Sequence, residues 1–287
     1  MSSSRPVLFL VSVDSGCVRA DPDAQHVSVM DLGVTRGDGI FETISVCDGR
    51  AQALEAHLDR FARSARLLDL PEPDLGLYRQ GILEAIEAHD DLPELYIKTV
   101  MTRGIEGTGV PTGWVYAAAA ADFTRERTEG IRVVTLDRGL RHDVAQTSPW
   151  LLQGAKTLSY AINRAALREA ERRDADDVIF TSSDGFVLEG PTANVILRKG
   201  DTLVTPRTDQ GILPGTTQAS VFEFAQAEGM KTEYAVIPVA DLLSADALWL
   251  VSSVRQAVPI NRLDGMERAI DVELSAQITS YLLGRRD

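Results

Sequence analysis

Apolar and polar positions along this chain follow two periods, and the change from one to the other marks its elements. Val7 to Val13 is apolar enough for a strand, and Gly39 to Val46 alternates towards Asp48-Gly49, a hairpin turn. A helical period follows: Leu58, Phe61, Ala62, Ala65 and Leu68 share one face, Asp59, Arg60, Arg63 and Arg66 point elsewhere, and Pro71 closes the segment. A second helix covers Leu75 to Ala88. Strands at Leu95 to Thr102 and Trp114 to Ala121 flank the glycine- and proline-containing loop Gly104 to Gly113.

Asp122 to Gly130 is polar and charged without a periodic apolar pattern, so it reads as a linker between a domain at 1–121 and another at 131–287. Beyond it come a strand at Ile131 to Leu136 and a long segment with Trp150 and Lys156 that passes into a helix ending near Arg173. Further strands are expected at Asp177 to Thr181, Phe186 to Leu188, Asn194 to Leu197 and Thr202 to Thr205. Leu213-Pro214-Gly215-Thr216-Thr217 leads into a helix through Ala227 that Gly229 ends. Strands near Glu233 to Ile237 and Ala247 to Val251 precede a last helix from about Asp271. Strands and helices mix without a strict βαβ rhythm, which predicts an α+β fold.

Composition narrows the function classes. A chain of 287 residues with 44% hydrophobic content can bury a large core. Its 29 basic and 42 acidic residues leave a net charge of −13, which repels nucleic acid and anionic lipid, so neither is an expected partner. Two cysteines, Cys17 and Cys47, cannot staple a chain of this size, and a reducing, cytoplasmic setting is expected. Ser12 and Asp14 interrupt the first apolar run, no small-residue cleavage site follows it, and no stretch approaches the roughly 20 apolar residues of a membrane helix.

The candidate chemistry begins with Lys156, in the mostly uncharged stretch Gly154-Ala155-Lys156-Thr157-Leu158. A lysine there loses hydration, which lowers its pKa towards what a Schiff-base former needs. Glu189, before Gly190-Pro191-Thr192, could keep a pyridine nitrogen protonated and so turn the ring into an electron sink. Gly215-Thr216-Thr217 opens a helix whose free N–H groups suit a phosphate, and Arg60 and Ser252-Ser253 could add donors. Each has an ordinary alternative: a solvated lysine, a solvated strand-end acid, a helix cap, a charged helix face, a turn. His26, His57, His89 and His142 are scattered without carboxylate or cysteine at metal spacing, so no metal is expected. There is no Gly-x-Ser-x-Gly, and Gly37-Asp38-Gly39 is too short and wrongly placed for a dinucleotide fingerprint.

Six segments in order resemble the class IV aminotransferases, the fold-type IV pyridoxal phosphate enzymes. They are Arg36-Gly37-Asp38-Gly39-Ile40-Phe41-Glu42-Thr43, His57-Leu58-Asp59-Arg60-Phe61, Lys156-Thr157-Leu158-Ser159-Tyr160, Leu188-Glu189-Gly190-Pro191-Thr192-Ala193-Asn194, Gly211-Ile212-Leu213-Pro214-Gly215-Thr216-Thr217 and Ser252-Ser253. The resemblance implies a D-amino-acid aminotransferase-like fold, with a smaller N-terminal and a larger C-terminal domain and pyridoxal 5'-phosphate held between them. It implies a homodimer acting on a small amino substrate. By position, Lys156 would be the Schiff-base lysine and proton shuttle, and Glu189 would face the pyridine nitrogen. Arg60, Thr216, Thr217 and Ser253 would hold the phosphate, with backbone N–H groups near Thr192 and Gly215.

The family includes branched-chain and D-amino-acid transaminases and 4-amino-4-deoxychorismate lyase. Thr157-Leu158-Ser159-Tyr160 resembles the lyase and D-amino-acid pattern rather than the Gly-Gly-Asn-Tyr of branched-chain enzymes, and Arg103 to Gly113 lacks the histidine of D-amino-acid enzymes. Arg36 stands where the family commonly has an uncharged residue. Arg36, Phe41 and Arg103 are the expected substrate contacts, with Arg36 either reading a carboxylate or pairing with Asp31 or Asp38. The expected activity is the lyase reaction, in which pyruvate is lost and 4-aminobenzoate forms. An amino-acid transaminase, or a binding protein with this fold and no catalysis, are the alternatives.

Overall fold

The computed structural model describes residues 5–90 and 92–285, which fold as two compact units. The first runs to Ala121 and also takes in Ala155–Tyr160; the second comprises Asp122–Gly154 and Ala161–Arg285.

In the first unit the elements are β1 (Val7–Ser12), β2 (Gly16–Ala20), α1 (Leu32–Arg36), β3 (Gly39–Cys47), β4 (Arg50–Ala51), α2 (Leu54–Leu67), α3 (Leu75–Glu87), β5 (Glu94–Thr102) and β6 (Thr112–Ala119). The strands form an antiparallel sheet in the order β2-β1-β6-β5-β3-β4. Strand alternation sends Ile40, Glu42, Ile44, Ile97, Val115 and Ala117 to the buried side, and α2 supplies Leu58, Phe61 and Ala65 to the same core. The Phe61 and Tyr78 rings meet edge-on at 4.8 Å, and the buried Tyr78 hydroxyl donates to the Val100 carbonyl at 3.0 Å.

Glu42, His57 and Arg60 form a buried polar cluster between β3 and α2 in this core, with exposures of 0%, 1% and 7%. Arg60 donates through Nε to Glu42 Oε1 and through Nη2 to Oε2, both at 2.7 Å, and His57 Nδ1 lies 2.7 Å from Oε2. Burial pushes the Glu42 pKa up, but the guanidinium and the imidazole outweigh it and hold the carboxyl well below the usual range. Burial also lowers the His57 pKa, against the pull of Glu42. His57 is therefore neutral and donates its Nδ1 proton to an ionised Glu42.

The second unit contains α4 (Thr124–Glu129), β7 (Ile131–Asp137), α5 (Val144–Thr147), α6 (Ala161–Arg172), β8 (Asp177–Thr181), β9 (Asn194–Lys199) and β10 (Thr202–Pro206). It continues with α7 (Thr216–Ala227), β11 (Lys231–Ala235), α8 (Ala240–Ser244), β12 (Ala247–Ser252), β13 (Gln256–Leu263), β14 (Met266–Glu267) and α9 (Val272–Gly284). Its sheet runs β11-β10-β9-β12-β13-β7-β8, with β14 on β13. The β10–β11, β13–β7 and β7–β8 pairs are parallel and the rest antiparallel. Both faces of β9 and β12 are buried. Val195, Leu197, Leu248 and Leu250 enter one core, while Ile196, Ala247, Trp249 and Val251 enter another with α7 and α9. This is why Ala247 to Val251 reads as an unbroken apolar run.

Several elements depart from the sequence reading. Residues 122–130 carry α4 and fold within the second unit. Phe186 to Leu188 makes isolated bridges, Thr181 with Val187 and Phe186 with Pro238, in place of a strand. Strand β13 was not expected, because Pro259 interrupts its pattern; it nevertheless lies inside the sheet, opposite Trp249 of β12. Among the described residues no helix is long and apolar enough to cross a membrane.

The buried cluster predicts acid lability in two stages. A depressed histidine pKa means that the unfolded chain binds the His57 proton first, so stability falls as pH drops below about 6.5; the depressed Glu42 pKa adds a loss below about 4.3. Denaturant midpoints measured across this range are expected to show both stages, and His57→Asn to remove the upper one. An upper stage unchanged in that variant contradicts the assignment.

Candidate active site

Lys156 belongs to the first unit, although it lies far along the chain from the other residues there. Its segment pairs with β3: Phe41 N–H donates to the Lys156 carbonyl at 3.1 Å, Leu158 N–H donates to the Gly39 carbonyl at 2.8 Å, and Ile40 bridges Thr157. Lys156 N–H donates to Ser64 Oγ of α2 at 3.1 Å, and Ser159 Oγ donates to the Gly37 carbonyl at 3.1 Å. These bonds bring the Lys156 ammonium to 4.5 Å from the centre of the Phe41 ring, whose edge meets Tyr160 at 5.5 Å. Lys98 approaches the same ring at 5.2 Å, and desolvation lowers its pKa although the residue as a whole is exposed. Sequence reasoning missed Ser64, Tyr160 and Lys98 as parts of this constellation. A lysine two residues before buried Val100 in a β-branched strand was the available signal for Lys98.

The expected substrate residues take three different positions in this unit. Phe41 faces the two ammonium groups. Arg103 donates to both Asp38 oxygens, at 2.6 and 3.2 Å, and to the carbonyls of Leu68 and Asp69 at 2.7 and 3.0 Å. Asp31, fully buried, caps α1 through Gly33 N–H at 2.7 Å and accepts from Thr112 Oγ1 at 2.7 Å. Both proposed carboxylate partners of Arg36 are thus engaged elsewhere. Arg36 is exposed in the last turn of α1 and makes no ion pair among the described residues.

The second unit positions Glu189 through a tight turn. The chain reverses at Asp184-Gly185 and returns beside β8, where Phe180 N–H donates to the Glu189 carbonyl at 2.9 Å. The Glu189 carboxylate accepts from Leu213 N–H at 3.1 Å and lies 3.5 Å from Asn194 Nδ2, which itself donates to the Leu213 carbonyl at 2.8 Å. Asn194 therefore stitches the acid to the loop before α7. A Cβ at Gly215 would meet Asn194 Oδ1 at 1.9 Å, so this close approach requires glycine. The polar Asn194 at the head of the apolar run Val195-Ile196-Leu197 was the sequence signal for that role.

Gly215 is the N-cap of α7, and no side chain caps the helix there, which leaves its first turn presenting N–H groups beside the buried hydroxyl residues Thr216 and Thr217. That donor set, at the head of a 12-residue helix, suits a phosphate. Ser253 lies in the turn between β12 and β13, where its carbonyl accepts from Gln256 Nε2 at 2.7 Å. Thr192 is exposed, one residue after the Pro191 carbonyl that accepts from Asn163 Nδ2 at 2.6 Å. Arg60 lies in the first unit with its Nε–Nη2 edge on Glu42. A lysine set beside an aromatic ring, a carboxylate held by an amide N–H and an uncapped helix start fit the aldehyde, ring nitrogen and phosphate of pyridoxal phosphate.

Folding also gathers groups that the sequence left apart. The ligand atoms of His142, Asp143 and Asp184 lie within 4.8 Å of one another. His142 Nδ1 is already 2.6 Å from Asp184 Oδ2, and Arg141 reaches both carboxylates, at 3.1 and 3.6 Å. The cluster is an internally paired ion group.

Residues 39–263 match the model of the amino-transferase class IV family. A bifunctional aminodeoxychorismate lyase / D-amino acid transaminase of Mycobacterium tuberculosis is 45% identical over 267 residues, 90% of this chain and 92% of that one. Among solved structures, a fold IV-transaminase from Curtobacterium pusillum is 56% identical with a TM-score of 0.95, covering 98% of this chain and 100% of that one. The PLP-bound form of a hypothetical aminotransferase from M. tuberculosis is 40% identical with a TM-score of 0.89, covering 97% and 100%. With the family matched over most of its length and its fold shared with these structures, the chain belongs to the amino-transferase class IV family and is a pyridoxal phosphate-dependent enzyme.

Proposed function

We propose that this enzyme is a 4-amino-4-deoxychorismate lyase, releasing pyruvate and forming 4-aminobenzoate. The observation that carries this reading is Arg36: an exposed guanidinium, without an ion pair among the described residues, three residues before the Gly39 that opens β3. A dicarboxylate substrate offers it a partner. The relative of M. tuberculosis named for both lyase and D-amino acid transaminase activity supports the same choice, and keeps amino-acid transamination as the second reading.

Pyridoxal phosphate supplies an aldehyde for the substrate amine and a ring that takes up the electron pair left when a neighbouring bond breaks. Lys156 would hold that aldehyde through its Nζ and would serve the substrate as the base that accepts the proton from the carbon beside its amine. Glu189 would face the ring nitrogen and keep a proton on it. Thr216, Thr217 and the first-turn N–H groups of α7 would hold the phosphate, and the family resemblance adds Arg60, Ser253 and backbone near Thr192 and Gly215 as further donors. Phe41 packs against the reacting groups and excludes water, while Arg103 acts through Asp38 to fix the turn that follows Arg36.

The homodimer is also proposed. Val29, Met30, Val34, Ile105 and Val110 are exposed, with exposures from 41% to 79%, on α1 and the residues before it and on the loop between β5 and β6, which the Leu32 N–H to Gly104 carbonyl bond joins. A second copy would cover them. A cytoplasmic setting is consistent with Cys17 and Cys47 outside any disulfide.

Incubation with aminodeoxychorismate is expected to yield 4-aminobenzoate and pyruvate, assayed beside a panel of L- and D-amino acids with 2-oxoglutarate. Glutamate formed without 4-aminobenzoate would favour the transaminase reading and defeat the lyase one. For Arg36→Ala, the KM for the dicarboxylate should rise about 10- to 100-fold with kcat little changed; unaltered constants would remove Arg36 from substrate recognition. Light scattering should give twice the 31.2 kDa chain mass, and a monomer at micromolar concentration would contradict the dimer.

A further inference from the structure

A small cleft in the second unit lies against Glu189 and contains a buried amide with no protein partner. Gln210 is 4% exposed, and among the described residues neither its Nε2 nor its Oε1 has a hydrogen-bond partner. It lines the cleft together with Glu189, Arg138, Arg141, Gln153 and Ile212. Gln210 is held there. It ends the short 3-10 turn Thr208–Gln210, and the next residue, Gly211, has a positive φ of 76° and packs so closely that a Cβ would meet Gln153 Cβ at 2.6 Å.

The chemistry of the cleft selects its guest. Both cations along it are engaged: Arg138 stacks on Phe180 at 4.9 Å, and Arg141 pairs with Asp143 and Asp184. An acidic residue, Glu189, also lines the cleft and disfavours an anion, so the unanswered donor and acceptor of Gln210 call for a neutral guest that both gives and takes a hydrogen bond. The cleft has room for about one water, and buried polar atoms without protein partners are ordinarily met by ordered water.

We propose that Gln210 holds a resident water behind Glu189, which donates to the carboxylate and makes Gln210 a positioning residue for it. Leu213 N–H holds the Glu189 carboxylate on one side; the water restrains it from the cleft, so that it keeps its aim at the cofactor ring. This rests on the reading of Glu189 as the ring-nitrogen partner.

A high-resolution structure of the cofactor-loaded enzyme should show an ordered water within about 3.2 Å of both the Gln210 amide and the Glu189 carboxylate. Gln210→Met keeps the shape and removes both polar atoms. It should empty the cleft of water and speed cofactor release about 5- to 10-fold, with a thermal midpoint unchanged or higher because no unpaired amide remains. Gln210→Asn should fall between the two. A dry cleft in the wild type, or cofactor release from Gln210→Met at the wild-type rate, overturns the proposal. Should Gln210→Met fail to fold, the wild-type water and the release rate of Gln210→Asn decide. Glu189→Gln that retains cofactor and near-visible absorption like the wild type would instead defeat the ring-nitrogen reading, whether or not the water is present.

Discussion

The position of Lys156, the proposed reactive lysine, depends on two backbone hydrogen bonds, Phe41 N–H to the Lys156 carbonyl and Leu158 N–H to the Gly39 carbonyl. They hold a six-residue segment, distant in sequence from the rest of its unit, along the start of β3 in one register. Side chains alternate along a strand, so a slip of one residue would carry the Lys156 ammonium away from the Phe41 ring. Ser64 fixes the register a second time by accepting the Lys156 N–H from helix α2. Arrangement of the site on a sheet edge and a helix, rather than on a loop alone, is what gives a flexible lysine a defined place.

The strand that receives Lys156 is itself anchored from below. Phe41 faces the lysine, and Glu42, the next residue, faces the core, where Arg60 and neutral His57 bind it. Truncating one member of such a buried group leaves the others unpaired, so β3 and α2 are fastened as one body. The cluster gives Arg60 a structural role beside the one proposed for it at the phosphate. In the second unit the same logic recurs on a smaller scale: Asn194 and Leu213 hold Glu189, and Gly215 leaves room for Asn194 to do so.

Much of this was legible in the sequence where local patterns and global packing agree. Leu58, Phe61, Ala62 and Ala65 lie on the buried face of α2 as their spacing predicts, and Gly229 follows the end of α7. Strand β13 was hidden by Pro259, because its place inside the sheet is set by tertiary packing and not by its own alternation. The short helices α1 and α5 carry too few turns for a period to show. Ordered motifs named Lys156 and Glu189, yet membership of Lys156 in the first unit follows from long-range pairing that no local pattern encodes. The role of Gln210 was invisible for the same reason: it depends on which loop the fold sets opposite it.

Two lysines approach Phe41, and the proposed chemistry belongs to Lys156. Lys98, at 5.2 Å and with a pKa lowered by desolvation, is the internal rival to Lys156 at 4.5 Å. Hydride reduction of the cofactor-loaded enzyme followed by peptide mapping separates them directly. The cofactor label is predicted on the peptide that contains Lys156; a label on Lys98, or on any other lysine, would contradict the central claim.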